Sequence, residues 1–210
     1  MIRIALLLAP ALAGCVIFEH KLEVPAGDEP TVLLCSTAMP EPIHDIARHS
    51  WFAVRGRGET TWQRIEVGGF GSGPFDGVDD VRLHKIWRGP RAEKAIACLR
   101  QWADFYQTRD SYLPWPGPNS NTYVDRLLRR CKLDADLPVT AIGKDYRGWI
   151  GAGITSGRTG IQLETPIAGL KLGLTEGIEL HILGLGFGLD LWPPALIIPF
   201  GGGRLGFADR

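Results

Sequence analysis

The chain has 210 residues, 45% of them hydrophobic, and its 23 basic and 23 acidic side chains leave no formal net charge. A chain of this length forms one domain, or one domain with an elaborated tail. The sequence shows no basic face or run of Lys and Arg, which argues against nucleic acid as a partner.

The amino-terminal segment predicts export and lipid anchoring. Arg3 precedes an apolar run from Ile4 to Leu12, and Leu-Ala-Gly-Cys closes the segment at Cys15, which is the layout of a secretory signal. The run is too short to span a bilayer, which takes about 20 residues. Leu-Ala-Gly-Cys resembles a bacterial lipobox, which implies cleavage before Cys15 and acylation of that cysteine. An ordinary signal and a buried amino-terminal strand are the alternatives.

We therefore predict four regions. They are a signal peptide (1–14), a lipidated Cys15 with its tether (15–30), an α+β core domain (31–147) and a glycine-rich β-hairpin extension packed on the core (148–210). The predicted location is the bacterial cell envelope, with the lipid as membrane anchor. Val16 rather than an aspartate after the cysteine indicates the outer membrane, facing the periplasm.

The core region predicts strands followed by two helices. A buried strand is expected over 31–35, a hairpin over 49–55 and 60–67, a third strand over 81–87, and helices over 91–107 and from Asn119 or Ser120 to about 132. The glycine-rich stretch 68–77 is expected to be a mobile flap or rim, and 137–146 a short strand or a loop.

Composition changes at Gly148. Fifteen of the 27 glycines lie in the last 63 residues, where apolar residues alternate with glycine or polar ones. Period two predicts β-strands with one apolar face. Because isolated glycine-rich hairpins are weak and expose their edges, we expect them to pack on the core or to lie against the membrane or a partner.

Cysteine and histidine spacing predicts neither a metal site nor a cofactor site. Cys35, Cys98 and Cys131 allow one disulfide at most, with the pairing open, and their spacing suits no zinc site. Cys98 and Cys131 fall on apolar helix faces, so we predict buried thiols rather than ligands there. His44 and His49 are five residues apart, a poor spacing for one helix face.

Five segments carry a family resemblance: HSWF (49–52), WQRIEV (62–67), WPGPNSNTY (115–123), TAIGKDY (140–146) and EGIELHILGLGFGLDLWPPAL (176–196). They resemble a bacterial envelope family catalogued as domain of unknown function 3750. The similarity runs from about Val32 to Phe207, and the family implies no activity.

The order of the polar residues carries a second resemblance. Circularly permuted papain-like enzymes, including the lecithin-retinol acyltransferase type and some cell-wall hydrolases, place a histidine on a strand and, later, a cysteine at a helix start, often after asparagine. Here His49 begins a strand, and Asn119-Ser120 begins a helix 71 residues later. The resemblance implies a papain-like core of antiparallel strands packed on two helices, with serine in place of the cysteine.

If Val54 lies opposite Thr61 in the predicted hairpin, His49 lies opposite Glu66 on the same face. A serine nucleophile must lose its proton to a base during attack. The catalytic candidates are therefore Ser120 as nucleophile, His49 as base and Glu66 as orienter. Asn119, Asn121 or backbone N–H groups would face the oxyanion.

Other residues are candidates for binding. Trp51 and Trp115, with Trp62 and Trp149, can line a sugar-binding groove, although such tryptophans are more often core residues with one tethered N–H. Lys144 and Asp145 either reach the same pocket or, as we favour, pair with each other at the surface.

Two functions follow from the sequence. The first is a non-catalytic binding or structural lipoprotein with a papain-like fold, and a cell-wall or lipid ligand is its candidate partner. The second is a serine hydrolase or acyltransferase acting on envelope material. The missing cysteine favours the first.

Overall fold

The computed structural model describes residues 25–68, 73–105, 112–174, 176–200 and 203–206. The predicted signal peptide and Cys15 lie outside these residues, as do part of the predicted flap and Phe207. No helix in the described ranges is long and apolar enough to cross a membrane.

The first part of the chain forms a four-stranded antiparallel sheet with two helices. The strands are β1 (Thr31–Ala38), β2 (Arg48–Arg55), β3 (Gln63–Ile65) and β4 (Arg82–Arg88), in the order β3-β2-β1-β4, and the helices are α1 (Gly89–Ala103) and α2 (Ser120–Arg130). The expected α+β class is confirmed. Residues 137–146 form turns rather than a strand.

β1 and β2 are buried on both faces, because each face packs against a different part of the chain. Val32, Leu34, Phe52 and Val54 face the helices and join one hydrophobic cluster with residues such as Leu99, Val124 and Leu127. Leu33, Cys35, Trp51 and Ala53 face the other way, under Trp62, Phe75, Val78, Val81 and Leu83. The segment between β3 and β4 thus covers the face that carries Trp51.

A disulfide joins the two helices. Cys98 on α1 is bonded to Cys131 at the end of α2, and Cys35 is a free, buried thiol. The prediction of buried thiols at Cys98 and Cys131 is therefore wrong. The apolar stripes that place both cysteines on inward faces also bring the two faces together.

The glycine-rich region forms a second antiparallel sheet of seven strands, each beside its neighbour in sequence. The strands are β5 (Gly151–Ile154), β6 (Gly160–Glu164), β7 (Ala168–Gly173), β8 (Gly177–Ile182), β9 (Leu185–Leu191), β10 (Pro194–Ile197) and β11 (Arg204–Gly206).

This sheet packs on the core through its polar and glycine face. Gln162, Glu164, Lys171, Glu179 and His181 are all buried there. A Cβ on Gly186 would collide with Val139 of the core, so glycine permits the close approach. The period-two prediction is right, but the apolar face points away from the core.

Candidate functional site

The helix α2 begins at a side-chain cap provided by Asn119. Its side-chain oxygen accepts from the backbone N–H groups of Asn121 at 3.0 Å and Thr122 at 3.1 Å. In return, the backbone N–H of Asn119 donates to Thr122 Oγ1 at 3.1 Å, which completes a capping box. Ser120 is the first helical residue and not the cap, so its hydroxyl is available for another contact.

Asn121 fastens the helix start to the beginning of β2. Its Oδ1 accepts from the backbone N–H of Ser50 at 3.0 Å, and its Nδ2 donates to the carbonyl of Arg48 at 2.8 Å. These two bonds bracket His49 in the sequence. They therefore set the distance between His49 and Ser120.

The side-chain amides of Asn119 and Asn121 hold the backbone around the start of α2. Asn119 Nδ2 donates to the carbonyls of Pro114 and Ile142, both at 2.9 Å, and Asn121 Nδ2 also donates to Ile142 at 3.0 Å. This contradicts the prediction that either side chain faces an oxyanion. The backbone N–H of Ser120 is the better donor, since it makes no hydrogen bond within the described part of the chain.

Ser120, His49 and Glu66 form a linear hydrogen-bonded series. Ser120 Oγ lies 3.0 Å from His49 Nδ1, and His49 Nε2 lies 2.8 Å from Glu66 Oε2. When Nε2 carries the proton and its N–H donates a hydrogen bond to Glu66, the lone pair of Nδ1 can accept from the serine hydroxyl. This is the tautomer that a base for Ser120 needs.

The register of the hairpin differs from the predicted one, yet the same side chains meet. Val54 lies opposite Gln63 rather than Thr61, a shift of two residues. Side chains repeat their direction every two residues, so the shift leaves His49 and Glu66 on the same face. A one-residue shift would have separated them.

Arg64 and Trp51 complete the surroundings of the histidine. Arg64 Nη2 donates to Glu66 Oε2 at 2.8 Å, and its guanidinium lies 4.4 Å from the centroid of the Trp51 ring. The His49 and Trp51 rings are stacked at a centroid distance of 6.1 Å. Trp51 Nε1 donates to the Pro74 carbonyl at 3.0 Å, so this tryptophan is a tethered core residue. Sequence reasoning missed Arg64, although Arg64 in β3 and Glu66 just after it are two residues apart and therefore point the same way.

A family model described as "Protein of unknown function (DUF3750)" matches residues 32–146, which are 115 of the 210 residues. The chain belongs to this family. Searches of curated proteins and of solved structures gave no match. The DUF3750 match contains His49, Glu66 and Ser120. It stops before the second sheet, so it does not extend to the predicted similarity over 176–196.

The other predicted binding residues lie apart from this series. Trp115 is half exposed and donates from Nε1 to the carbonyl of Leu183 at 3.1 Å. It lines a cavity of about 40 Å³ together with Asp145, which is room for about one water molecule. Trp149 is 85% exposed, whereas Trp51 is fully buried. The predicted tryptophan-lined groove therefore does not form.

Lys144 and Asp145 are not a surface pair, which corrects the prediction. The Lys144 side chain is 2% exposed, and its Nζ lies 3.0 Å from Glu179 Oε1 and 3.5 Å from Asp145 Oδ2. Lys171 Nζ lies 2.7 Å from Asp145 Oδ1. These contacts join the turns after Pro138 to the inner face of the second sheet.

His181 belongs to the same buried network, on the inner face of the second sheet. Burial opposes its charge, but Asp145, Glu164 and Glu179 outweigh that effect and raise the pKa of His181 to about 9. Asp145, Glu164 and His181 offer donor atoms within 4.8 Å of one another, an arrangement that could hold a metal ion. Since Lys171 and Lys144 already pair with Asp145, we assign the cluster to holding the sheet on the core.

A basic groove lies at the far end of α2, and it contradicts the expectation of no basic face. Its lining contains five cationic side chains, with Tyr146 and Gly148: Arg126, Arg129, Arg130, Lys132 and Arg147. Asp125 pairs with both Arg129 at 2.8 Å and Arg147 at 2.7 Å. The groove therefore keeps an excess of positive charge.

Proposed function

We propose that this chain is a serine hydrolase or acyltransferase of the bacterial cell envelope, anchored by a lipid on Cys15. Ser120 is the nucleophile, His49 the base and Glu66 the residue that orients the imidazole. The observation that carries the proposal is the position of His49, with one ring nitrogen 3.0 Å from Ser120 Oγ and the other 2.8 Å from Glu66.

The chemistry follows from these positions. His49 Nδ1 takes the proton of Ser120 as Oγ attacks a carbonyl carbon, and the imidazolium is stabilised by Glu66. The same nitrogen then returns the proton to the leaving group, which leaves an acyl ester on Ser120. Water then attacks this ester, which gives hydrolysis, or a second substrate's alcohol or amine attacks it, which gives acyl transfer.

The start of α2 supplies the oxyanion site. The backbone N–H of Ser120 is free of protein acceptors in the described residues, and it lies at the positive end of the helix dipole. A developing oxyanion next to Oγ is stabilised by such a fixed donor. Asn119 holds this backbone in place through the cap.

The order of the parts supports a papain-like core. The base lies on β2 of an antiparallel sheet, the nucleophile begins a helix packed on that sheet, and α1 is the second helix. The serine is the departure from that pattern, since those enzymes carry cysteine. A hydroxyl depends on its base more than a thiol does, which makes the close contact with His49 essential.

The export and anchoring part of the proposal is supported by the sequence alone. The signal layout ends at Leu-Ala-Gly-Cys, and residues 16–30 contain Pro25, Gly27 and Pro30 as a spacer. Cys15→Ser is expected to abolish incorporation of radiolabelled palmitate. Persistent palmitate labelling of that variant would place the acyl chain elsewhere.

A non-catalytic binding or structural lipoprotein is the second candidate, and burial favours it. Ser120 is 7% exposed and His49 3% exposed. Such a series can serve purely to hold α2 on the sheet. The two candidates predict opposite outcomes with an active-site probe.

The test is labelling with a fluorophosphonate, which reacts with activated serines. We expect labelling of the full chain and its loss in Ser120→Ala, with the fold retained because Asn119 provides the cap. Ser50→Ala is the matched control, since its buried Oγ has no hydrogen-bond partner in the described residues. Absence of labelling in a folded wild-type chain would favour the non-catalytic candidate.

A further inference from the structure

The outward face of the second sheet is apolar across all seven strands. The strand register places one aliphatic side chain per strand in a single row: Ile154, Ile161, Leu172, Ile178, Leu189, Leu196 and Leu205. A second row from β5 to β9 consists of Ala152, Leu163, Leu170, Leu180 and Phe187. Each large side chain in these rows is at least 40% exposed.

This surface is as large as the largest apolar patches that soluble monomers expose. Seven strands have six inter-strand spacings of about 4.8 Å, so the sheet is about 29 Å wide across its strands. Along the strands it is about 20 Å long, since the longest strand has seven residues. The resulting footprint of about 600 Å² lies at the upper limit of the patches on monomeric proteins. The outward strand positions described carry no charged side chain.

Exposed aromatic and aliphatic side chains also flank the strands that carry this surface. Trp149, just before β5, is 85% exposed, and Trp192, between β9 and β10, is 82% exposed. Leu174 and Leu183, in the turns on either side of β8, are also exposed. Tryptophan at the edge of an apolar surface is typical of proteins that lie at a membrane interface.

The basic groove meets the apolar face at the β5 edge. Gly148 lines the groove and leads directly into Trp149, Ile150 and β5. Arg129 also reaches this edge, where it donates to the carbonyl of Ile154. Positive charge is therefore placed where an apolar face ends, as lipid headgroups at a bilayer surface require.

We propose that the outward face of the second sheet lies on a lipid bilayer and that the basic groove binds the phosphate groups of its lipids. A bilayer fits this face because its hydrocarbon region forms no hydrogen bonds with side chains. The outward positions of the strands carry no polar side chain with which a protein partner could form hydrogen bonds. The length of chain before the fold permits the contact. Pro25 lies ten positions after Cys15, a stretch that spans at most about 33–36 Å. A lipid on Cys15 and the sheet can thus contact the same membrane.

The experiment uses the chain after the proposed cleavage, residues 15–210, with Cys15→Ser, which removes both the acylation and the apolar run 4–12. Residues 1–24 contain no tryptophan, so tryptophan fluorescence reports on the folded part. The probe is vesicles of phosphatidylcholine, with or without phosphatidylglycerol, whose acyl chains carry bromine as a quencher. We expect quenching on binding, and loss of most of it in Trp149→Phe/Trp192→Phe.

Two further variants separate the sheet from the groove. Leu172→Ser/Leu180→Ser, with Leu189→Ser as a milder form, is expected to weaken binding to both vesicles, by roughly tenfold or more for the double variant. Arg126→Gln/Arg130→Gln is expected to weaken binding about fivefold per cation only where phosphatidylglycerol is present. Leu113→Ser and Lys94→Gln, exposed residues of the core, are the matched controls and should bind as the parent does.

Three outcomes would overturn the proposal. The first is vesicle association without quenching of tryptophan. The second is a dimer, seen by analytical ultracentrifugation, that Leu172→Ser/Leu180→Ser dissociates while vesicles do not bind. The third is retention of RNA by the basic groove with no affinity for phosphatidylglycerol.

Discussion

Arg64 and His49 donate to the same oxygen of Glu66, each at 2.8 Å. The guanidinium is buried and held against Trp51, so it fixes the carboxylate from one side while the imidazole contacts it from the other. Glu66 is therefore held by two contacts from opposite sides. That rigidity is what a residue that orients a catalytic histidine requires.

Glu66→Gln tests this arrangement. The amide can present an N–H toward His49 Nε2, which favours the tautomer with the proton on Nδ1. That nitrogen then cannot accept from Ser120. We expect the rate of fluorophosphonate labelling to fall by at least ~100-fold, in line with tautomer errors in other triads.

The matched control is Glu59→Gln, on the same hairpin. Glu59 pairs with Arg100 at 2.8 Å and accepts from the backbone N–H of Gly56 at 2.7 Å, on the helix side of the hairpin. It should label at the wild-type rate. Equal rates for Glu66→Gln and the wild type would remove Glu66 from the mechanism.

The contact between His49 and Glu66 was predictable from period-two alternation, whereas the pairing of His49 with Ser120 was expected only from the resemblance to papain-like enzymes. His49 and Glu66 lie on the same face in every hairpin register that differs by an even number of residues. The predicted partner of Val54 was wrong by two residues, so this error did not separate the two side chains. The start of α2 was also predictable from its cap chemistry. Which residue acts as the cap was not, because Asn119 and Ser120 are both favoured there.

The orientation of the second sheet could not be predicted from alternation. A period of two defines two faces, but which face is buried depends on partners far away in sequence. Lys171 and Glu179 are buried because Asp136, Asp145 and Lys144 of the core lie opposite them. Their mutual attraction offsets the cost of desolvation, which no local pattern reveals.

The raised pKa of His181 predicts a pH dependence of stability. Its pKa is about 9 in the folded chain against 6.5 for a free histidine, so folding favours the protonated ring. The stabilisation is complete below pH 6.5 and is lost as the pH rises through about 9. We expect the free energy of unfolding, measured by urea denaturation, to decline over this interval.

His181→Gln should flatten that decline. His84→Gln is the control, because burial lowers the pKa of His84 to about 3 and that ring stays neutral throughout the interval. A decline of the same steepness in His181→Gln as in the wild type would assign the pH dependence to other groups.

Lys171→Met tests whether the buried charges act as one network. The substitution keeps an unbranched side chain only one atom shorter and leaves Asp136 and Asp145 with one cation fewer. Uncompensated buried charge costs about 3–5 kcal/mol, so we expect a loss of that size in chemical denaturation. The exposed Lys94→Met should change stability by less than ~0.5 kcal/mol. A loss below ~1 kcal/mol for Lys171→Met would mean that the carboxylates find another partner.

The disulfide between Cys98 and Cys131 predicts a defined thiol chemistry. Without reductant, iodoacetamide should modify none of Cys35, Cys98 and Cys131 in the native chain, because burial raises the pKa of Cys35 to about 12. In urea without reductant, Cys35 alone of these three should react. The double variant Cys98→Ala/Cys131→Ala lacks the cross-link between two residues that are 33 positions apart. Because that cross-link restricts the unfolded chain, the variant is expected to lose about 3–4 kcal/mol of stability. The protein for this test is purified after export to the envelope. If iodoacetamide modifies Cys98 or Cys131 when that protein is unfolded without reductant, the disulfide does not form.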